Sequence, residues 1–255
     1  MKKHYLLLLL AVLFFSSCFD IEERYDFNAD GSCKATYGFD MGKTVAMFVQ
    51  MMPDSAKRKD PQFNKVVDTT FNFYTAETKA EQQKMTAEQV NLAKNSNLNV
   101  KMDLKNSVMK LSIEHNSKNI ADLDFYVKHL SEMSSLSDQV SKATNNDKKN
   151  GNFDSKQFTS FADYYTYEIA PHKFYRTVDP IKYNAFATKN KQTFEGAKSM
   201  NILIPYKITL KFASPVKSIG NSIAVLSPDK KTVTLTSNMA EITKNPGIMN
   251  FKIDY

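Results

Sequence analysis

Residues with strand periodicity and residues with helical periodicity follow one another along the chain, and the order predicts a mixed fold. Residues 25–27 lead into Asn28-Ala29-Asp30-Gly31, a hairpin signal because glycine tolerates positive φ. On the return strand Cys33, Ala35, Tyr37 and Phe39 share one face, and Lys34, Thr36 and Asp40 the other. Val45, Phe48, Val49 and Met52 sit at helical spacing over 42–52, and Pro53 stops that helix. Residues 54–60 are polar and read as a loop. Residues 66–74 are extended, and Thr86-Ala87-Glu88-Gln89 has the form of a capping box that opens a helix to about Asn95.

The alternation is cleanest after that. Leu98, Val100, Met102 and Leu104 face one way, a turn follows at Asn106-Ser107, and Met109, Leu111 and Ile113 return with one wet face. Asn119 caps a helix whose stripe is Ile120, Leu123, Val127 and Leu130, continuing through Met133 and Leu136. Residues 145–156 (NNDKKNGNFDSK) form the most loop-like stretch. The chain beyond is mostly strand: Tyr165, Tyr167 and Ile169, a turn at Ala170-Pro171-His172, then 174–178. Residues 184–196 read as helix or loop. The longest alternation places Ile202, Ile204, Tyr206, Ile208, Leu210 and Phe212 on one face, with Lys207, Thr209 and Lys211 expected in water. The helix from Ile120 is the expected cover for that apolar face. Pro205 belongs at an edge or strand start. Ser227–Lys231 turns the chain, 232–236 is a strand, Asn238 caps one helical turn, and 249–255 closes the chain as a strand. Hairpins with interposed helices packed on one face predict an α+β fold with an antiparallel sheet.

The N-terminus follows a different logic. Lys2 and Lys3 precede an apolar run over 5–15, which is too short for a bilayer-spanning helix of about 20 residues. A basic start, a short apolar core and small residues describe a cleaved secretory signal over 1–17. Phe15-Ser16-Ser17-Cys18 resembles the lipobox of bacterial lipoproteins, with Phe15 in place of the usual leucine. That resemblance implies lipid attachment at Cys18, a short acidic tether over 18–24, and a domain over 25–255, either single or in two lobes joined near 145–157. The expected partner is a lipid bilayer, reached through the acylated Cys18. The expected location is a bacterial membrane, the outer one first, facing periplasm or cell surface.

Composition adds limits. Apolar residues make up 42% and charged residues 24%, as in globular proteins, and the formal charge is +7. The lysines are scattered, so a solvated basic surface fits better than a nucleic-acid site; an exported protein meets anionic lipid and glycan. Lipidation consumes one of the two cysteines. Cys33 is then unpaired and, on its apolar strand face, reads as a buried, inert thiol.

The chemical motifs are weak. Gly42-Lys43-Thr44 lacks the first glycine of a phosphate loop, because position 37 is tyrosine. His115, His129 and His172 have no metal-ligand spacing and read as solvated or locally bonded. Asp122 and Asp124 share a helix's first turn but point to different faces. These patterns supply no catalytic residue, no metal ligand and no cofactor.

Several features together resemble the envelope lipoproteins of the Bacteroidota: the lipobox followed by strand-Asp30-Gly31-strand, Asp68-Thr69-Thr70-Phe71, and a tail with Phe212-Ala213-Ser214-Pro215-Val216, Gly220-Asn221 and Lys231-Thr232-Val233-Thr234. The tail is distantly similar to LppM-domain lipoproteins. Asp20-Ile21-Glu22-Glu23 resembles the surface-export signals of such lipoproteins but lacks their uninterrupted acidic core, and a solvated tether is the favoured reading. Asp54-Ser55-Ala56 and Asp68-Thr69-Thr70 match that group's O-glycosylation pattern, which implies Ser55 and Thr69 as acceptors. The functional expectation is a non-catalytic envelope lipoprotein that binds a protein partner or supports the envelope. The alternative is a module for a hydrophobic or amphiphilic ligand, and an enzyme without a readable motif stands third.

Overall fold

The computed structural model describes residues 20–60, 63–132, 163–192, 195 and 203–255. Among these, the strands are β1 (Asp20–Phe27), β2 (Cys33–Asp40), β3 (Val66–Asn72), β4 (Ser96–Asp103), β5 (Val108–Ser117), β6 (Tyr165–Ala170), β7 (Lys173–Val178), β8 (Pro205–Lys211), β9 (Ser218–Ile219), β10 (Val225–Leu226), β11 (Thr232–Asn238) and β12 (Phe251–Asp254). The helices are α1 (Gly42–Met51), α2 (Asp54–Lys59), α3 (Phe73–Ala76), α4 (Lys79–Gln82), α5 (Ala87–Lys94), α6 (Ile120–His129), α7 (Pro180–Lys189) and α8 (Met239–Lys244). They build two sheets. The larger has the order β10-β11-β8-β1-β2-β5-β4-β3, and the smaller β6-β7-β12-β9. Neighbours are antiparallel throughout except β1 and β8, which run parallel with Ile21 opposite Tyr206.

Local chemistry explains the element ends. Gly31 adopts φ +83° in the loop that closes the β1–β2 hairpin, where Asn28 N–H donates to the Ser32 carbonyl at 2.9 Å. Thr86 and Gln89 form the reciprocal capping box that starts α5, as the sequence predicts. Asn119, Asp179 and Asn238 cap α6, α7 and α8 by accepting backbone N–H groups two or three residues on.

One buried cluster runs through both sheets. The small sheet lies against the β1–β8 side of the large one. Phe174 of β7 meets Tyr25 and Phe27 edge-on at 5.1 and 5.4 Å, and Phe212 stacks on Phe27 and Tyr255. The helix α6 covers the neighbouring β2–β5 side with Leu123, Tyr126 and Val127.

The α+β class with hairpin-built antiparallel sheet is what the structure shows, with a second sheet added. Several local expectations are corrected. Residues 20–24 are not a tether: they are the first half of β1, and Ile21 and Glu23 are buried. Residues 54–59 form α2 rather than a loop, entered from Pro53 in an extended conformation. The apolar stripe of α1 is not a core stripe, since no residue of α1 is buried. The start of the ambiguous stretch belongs to a helix that runs from Pro180 to Lys189, because Asp179, five residues before Asn184, supplies its cap. Thr209 is buried, flanked in register by Arg24 of β1 and Thr234 of β11, whose side chains share the outer face of a central strand. The cover over β8 is the small sheet, not α6. Residues 145–157, the expected junction between lobes, and Met133 and Leu136 lie outside the described residues.

Candidate functional site

Two polar groups lie where the sheets meet. In β1, Ile21, Glu23, Tyr25 and Phe27 all face the core, so strand periodicity drives a carboxylate inward. In β7 the same periodicity drives Arg176 inward behind Phe174. Arg176 Nη1 donates to both Glu23 oxygens at 3.0 Å, and neither side chain reaches water. Tyr25 donates to the same carboxylate at 3.0 Å, and Tyr206 donates to it as well. The Tyr165 ring lies under the guanidinium, 3.5 Å from its carbon to the ring centroid. Burial works against the charge on Arg176; the Glu23 carboxylate and the surrounding tyrosines outweigh it and push its pKa above the ordinary arginine value. Burial raises the phenol pKa of Tyr25, Tyr37 and Tyr206, so these hydroxyls stay protonated donors. The pair joins residues 153 apart in sequence and pins one sheet to the other. Sealed from solvent, it has no access to a solute.

The region beyond Tyr165 opens to solvent, although the Tyr165 side chain itself is buried. The end of α6 (Val127, Lys128, His129), the start of β6 (Tyr164 to Tyr167) and one face of α7 (Lys182, Ala185, Phe186, Lys189) line an open cleft of about 880 Å³. That volume suits a small-molecule ligand. The rings at its base are packed into the core rather than laid open: Tyr164 meets Phe186 at 4.8 Å, and Tyr164, Tyr165 and Phe186 are all buried. Its rim is basic. Lys128 is tied to Asp124 at 2.6 Å, whereas Lys182 and Lys189 have no carboxylate at ion-pair distance among the described residues. Seven residues apart, they stand on one face of α7 two turns from each other. The two ammonium groups can meet an anionic group on a solute that enters the cleft.

A third cluster has the composition of a catalytic triad without its access. His115 Nδ1 is 2.8 Å from Ser96 Oγ, and His115 Nε2 is 3.6 Å from Asp122 Oδ1. Ser96 also donates to the Leu92 carbonyl, and Asp122 accepts from Asn91 and from the Lys118 N–H. His115 and Ser96 are fully buried and the imidazole stacks on Tyr126 at 4.5 Å, so no substrate reaches the hydroxyl. Burial lowers the His115 pKa to about 4, against the opposing pull of Asp122. The cluster ties α5 and α6 to the large sheet. This corrects the reading of His115 as solvated. His129 does bond locally, to the Phe125 carbonyl, and Asp122 and Asp124 do face different ways.

The structure does not gather the residues named from sequence. Cys18 lies outside the described residues, two positions before β1. Ser55 is exposed in the first turn of α2, and Thr69 is half-buried on β3, the edge strand of the large sheet. Cys33 is a buried free thiol, with its pKa raised by burial. Glu23, Arg176 and the lysines of α7 were not foreseen. Their signal was a charged residue in phase with apolar neighbours: Glu23 among Ile21, Tyr25 and Phe27, and Arg176 two residues after Phe174.

No protein-family model matches the chain, and no curated protein matches it. Among solved structures, the folded domain of LppM from Mycobacterium tuberculosis, determined by NMR, is similar with a TM-score of 0.34 and 8% identity, over 94% of this chain and 92% of that one. Likeness at that level carries no functional residue across.

Proposed function

We propose that this is a non-catalytic lipoprotein of the bacterial envelope, anchored through an acylated Cys18, whose aromatic cleft binds an amphiphile with an apolar body and an anionic end. The cleft is the observation that supports the binding role: buried rings of β6 and α7 lie at its base, and Lys182, Lys189 and the carboxylate of Asp163 line it. The anchor rests on the basic, apolar and small residues that lead to Cys18. Two or three acyl chains at about 0.8 kcal/mol per buried methylene would hold it stably. The resemblance of its turns to Bacteroidota envelope lipoproteins supports an outer-membrane location, and of the two acceptors that resemblance implies, Ser55 is exposed and Thr69 is half-buried.

Titration with cis-parinaric acid, a fluorescent carboxylate amphiphile, tests the binding role. Saturable binding is expected, and the double charge reversal Lys182→Glu with Lys189→Glu should weaken it at least about tenfold, or 1.4 kcal/mol. The neutral probe N-phenyl-1-naphthylamine should lose much less. Binding that does not saturate, or that ignores the reversal, removes the cleft from the function and leaves a protein-binding or structural role.

A further inference from the structure

The helix α1 is apolar and faces water. Between Gly42 and Met51 its only charge is Lys43, and Met47, Phe48 and Met51 are 38%, 58% and 65% exposed. At i, i+1 and i+4 these three side chains stand together on one side of the helix. The other large exposed apolar residues, such as Ile181 and Val225, stand singly on separate elements. Grouped apolar exposure of this kind marks a contact surface.

The course of the chain identifies what it contacts. Asp20 is paired in register with Asp40, and α1 begins two residues after Asp40. Lys43 Nζ reaches back to Asp20 Oδ2 at 3.5 Å. Gly42 fits this corner tightly: a Cβ there would lie 2.7 Å from the Ser107 carbonyl oxygen. The helix therefore leaves the large sheet where β1 enters it. Cys18 is two residues upstream of Asp20, so its Cα lies within about 7 Å of that corner. The ten residues of α1 extend roughly 15 Å. A lipidated Cys18 puts the same corner at the bilayer interface, with α1 beside it. The charge agrees, because α2 follows at once and carries Lys57, Arg58 and Lys59 in its last turn, of which, among the described residues, only Lys57 is ion-paired, with Asp54.

We infer that α1 is a second membrane contact: its Met47–Phe48–Met51 face inserts into the bilayer interface beside the acylated Cys18, with Arg58 and Lys59 near anionic headgroups, and the two contacts together fix the orientation of the domain. The proximity to a bilayer rests on the lipoprotein reading; the apolar face does not.

The chain contains no tryptophan, so a single indole reports its own surroundings. The full-length gene carrying Phe48→Trp, expressed with lipoprotein processing, is purified and reconstituted into vesicles of phosphatidylethanolamine and phosphatidylglycerol. The mass of the mature N-terminus is measured on the same sample. The expected result is an acylated Cys18, indole emission that shifts to the blue only when vesicles are present, and quenching by acyl-brominated lipid. Val225→Trp, three strands away from β1 at the edge of the large sheet, should stay unshifted and unquenched. An acylated protein whose indole at position 48 is unquenched overturns the docking and leaves the anchor. Quenching in a protein that proves not to be acylated supports the docking and overturns the anchor. Neither acylation nor quenching overturns both. A blue shift without vesicles shows the face covered by this chain or a second copy, and overturns the docking.

Discussion

His115 shows how one buried residue can set the behaviour of the whole protein in acid. It lies on β5 in phase with Leu111 and Ile113, so its burial was written in the alternation. Its polar identity suggested solvent instead, and the alternation was the better guide. The neutral ring bonds Ser96 through Nδ1 and stacks on Tyr126, while Nε2 is buried 3.6 Å from Asp122 Oδ1 without a hydrogen-bond partner among the described residues. The charged ring would lose its hydration, which is why its folded pKa falls to about 4. An unfolded histidine titrates near 6.5, so below that pH the unfolded state binds the proton more tightly. Stability from this group is therefore complete above about pH 6.5 and declines as pH falls towards 4, by about 3 kcal/mol in all. Carboxylates held below their usual range, such as Asp40 beside Lys110, lose their contribution only at lower pH. Denaturant melts at pH 7, 5.5 and 4.5 should show the decline in the native sequence, and His115→Phe should flatten it while keeping the ring stack. Equal slopes in the two proteins would mean that the ring finds a charged state inside the fold.

At the scale of elements, what was legible was local. The β4–β5 hairpin, the Thr86 capping box and the Asn119 and Asn238 caps depend on residues within a few positions of one another, and the sequence states them directly. The pairing of the two sheets depends on contacts such as Glu23 with Arg176, which no local window contains. Acidic neighbours made Asp20 to Glu23 look like a solvated tether, and that hid a strand whose inward positions are Ile21, Glu23, Tyr25 and Phe27. The ion pair they build is a pin between elements rather than a source of net stability, since desolvation offsets much of its attraction. Arg176 Nε and Nη2 are also buried without a hydrogen-bond partner among the described residues, which adds to that cost. Glu23→Leu alone should destabilise by about 3–5 kcal/mol, because it strands the guanidinium. Arg176→Met added to it should recover most of that loss. Thermal or denaturant unfolding of the single and double variants decides. A double variant no better than the single one would show that the charges set the register of the sheets.

At the scale of the molecule, the position of β1 governs the rest. The chain enters the described domain at the middle of its largest sheet, with β2 on one side and β8 on the other. Residues 20–27 pair with β2, and 21–26 pair with β8, more than 180 positions later in the chain. The large sheet is thus two halves joined by one strand, and the small sheet is pinned to that strand through Glu23. A domain boundary at Tyr25, which composition alone suggests, would remove Ile21 and Glu23 and leave β2 and β8 with open ladders over most of their length. The expected outcome is sharp. A chain beginning at Phe19 should unfold cooperatively, with near-ultraviolet circular dichroism from its packed tyrosines. A chain beginning at Tyr25 should lose that signal and bind anilinonaphthalene sulfonate, because its apolar faces no longer close. If both chains melted alike, β8 and β2 would hold their places without β1, and the centre of the fold would lie elsewhere. The same geometry bears on the membrane. With β1 starting at Asp20, only Phe19 comes between that strand and Cys18 in sequence, so the acyl anchor proposed there would hold the domain against the bilayer rather than on a leash.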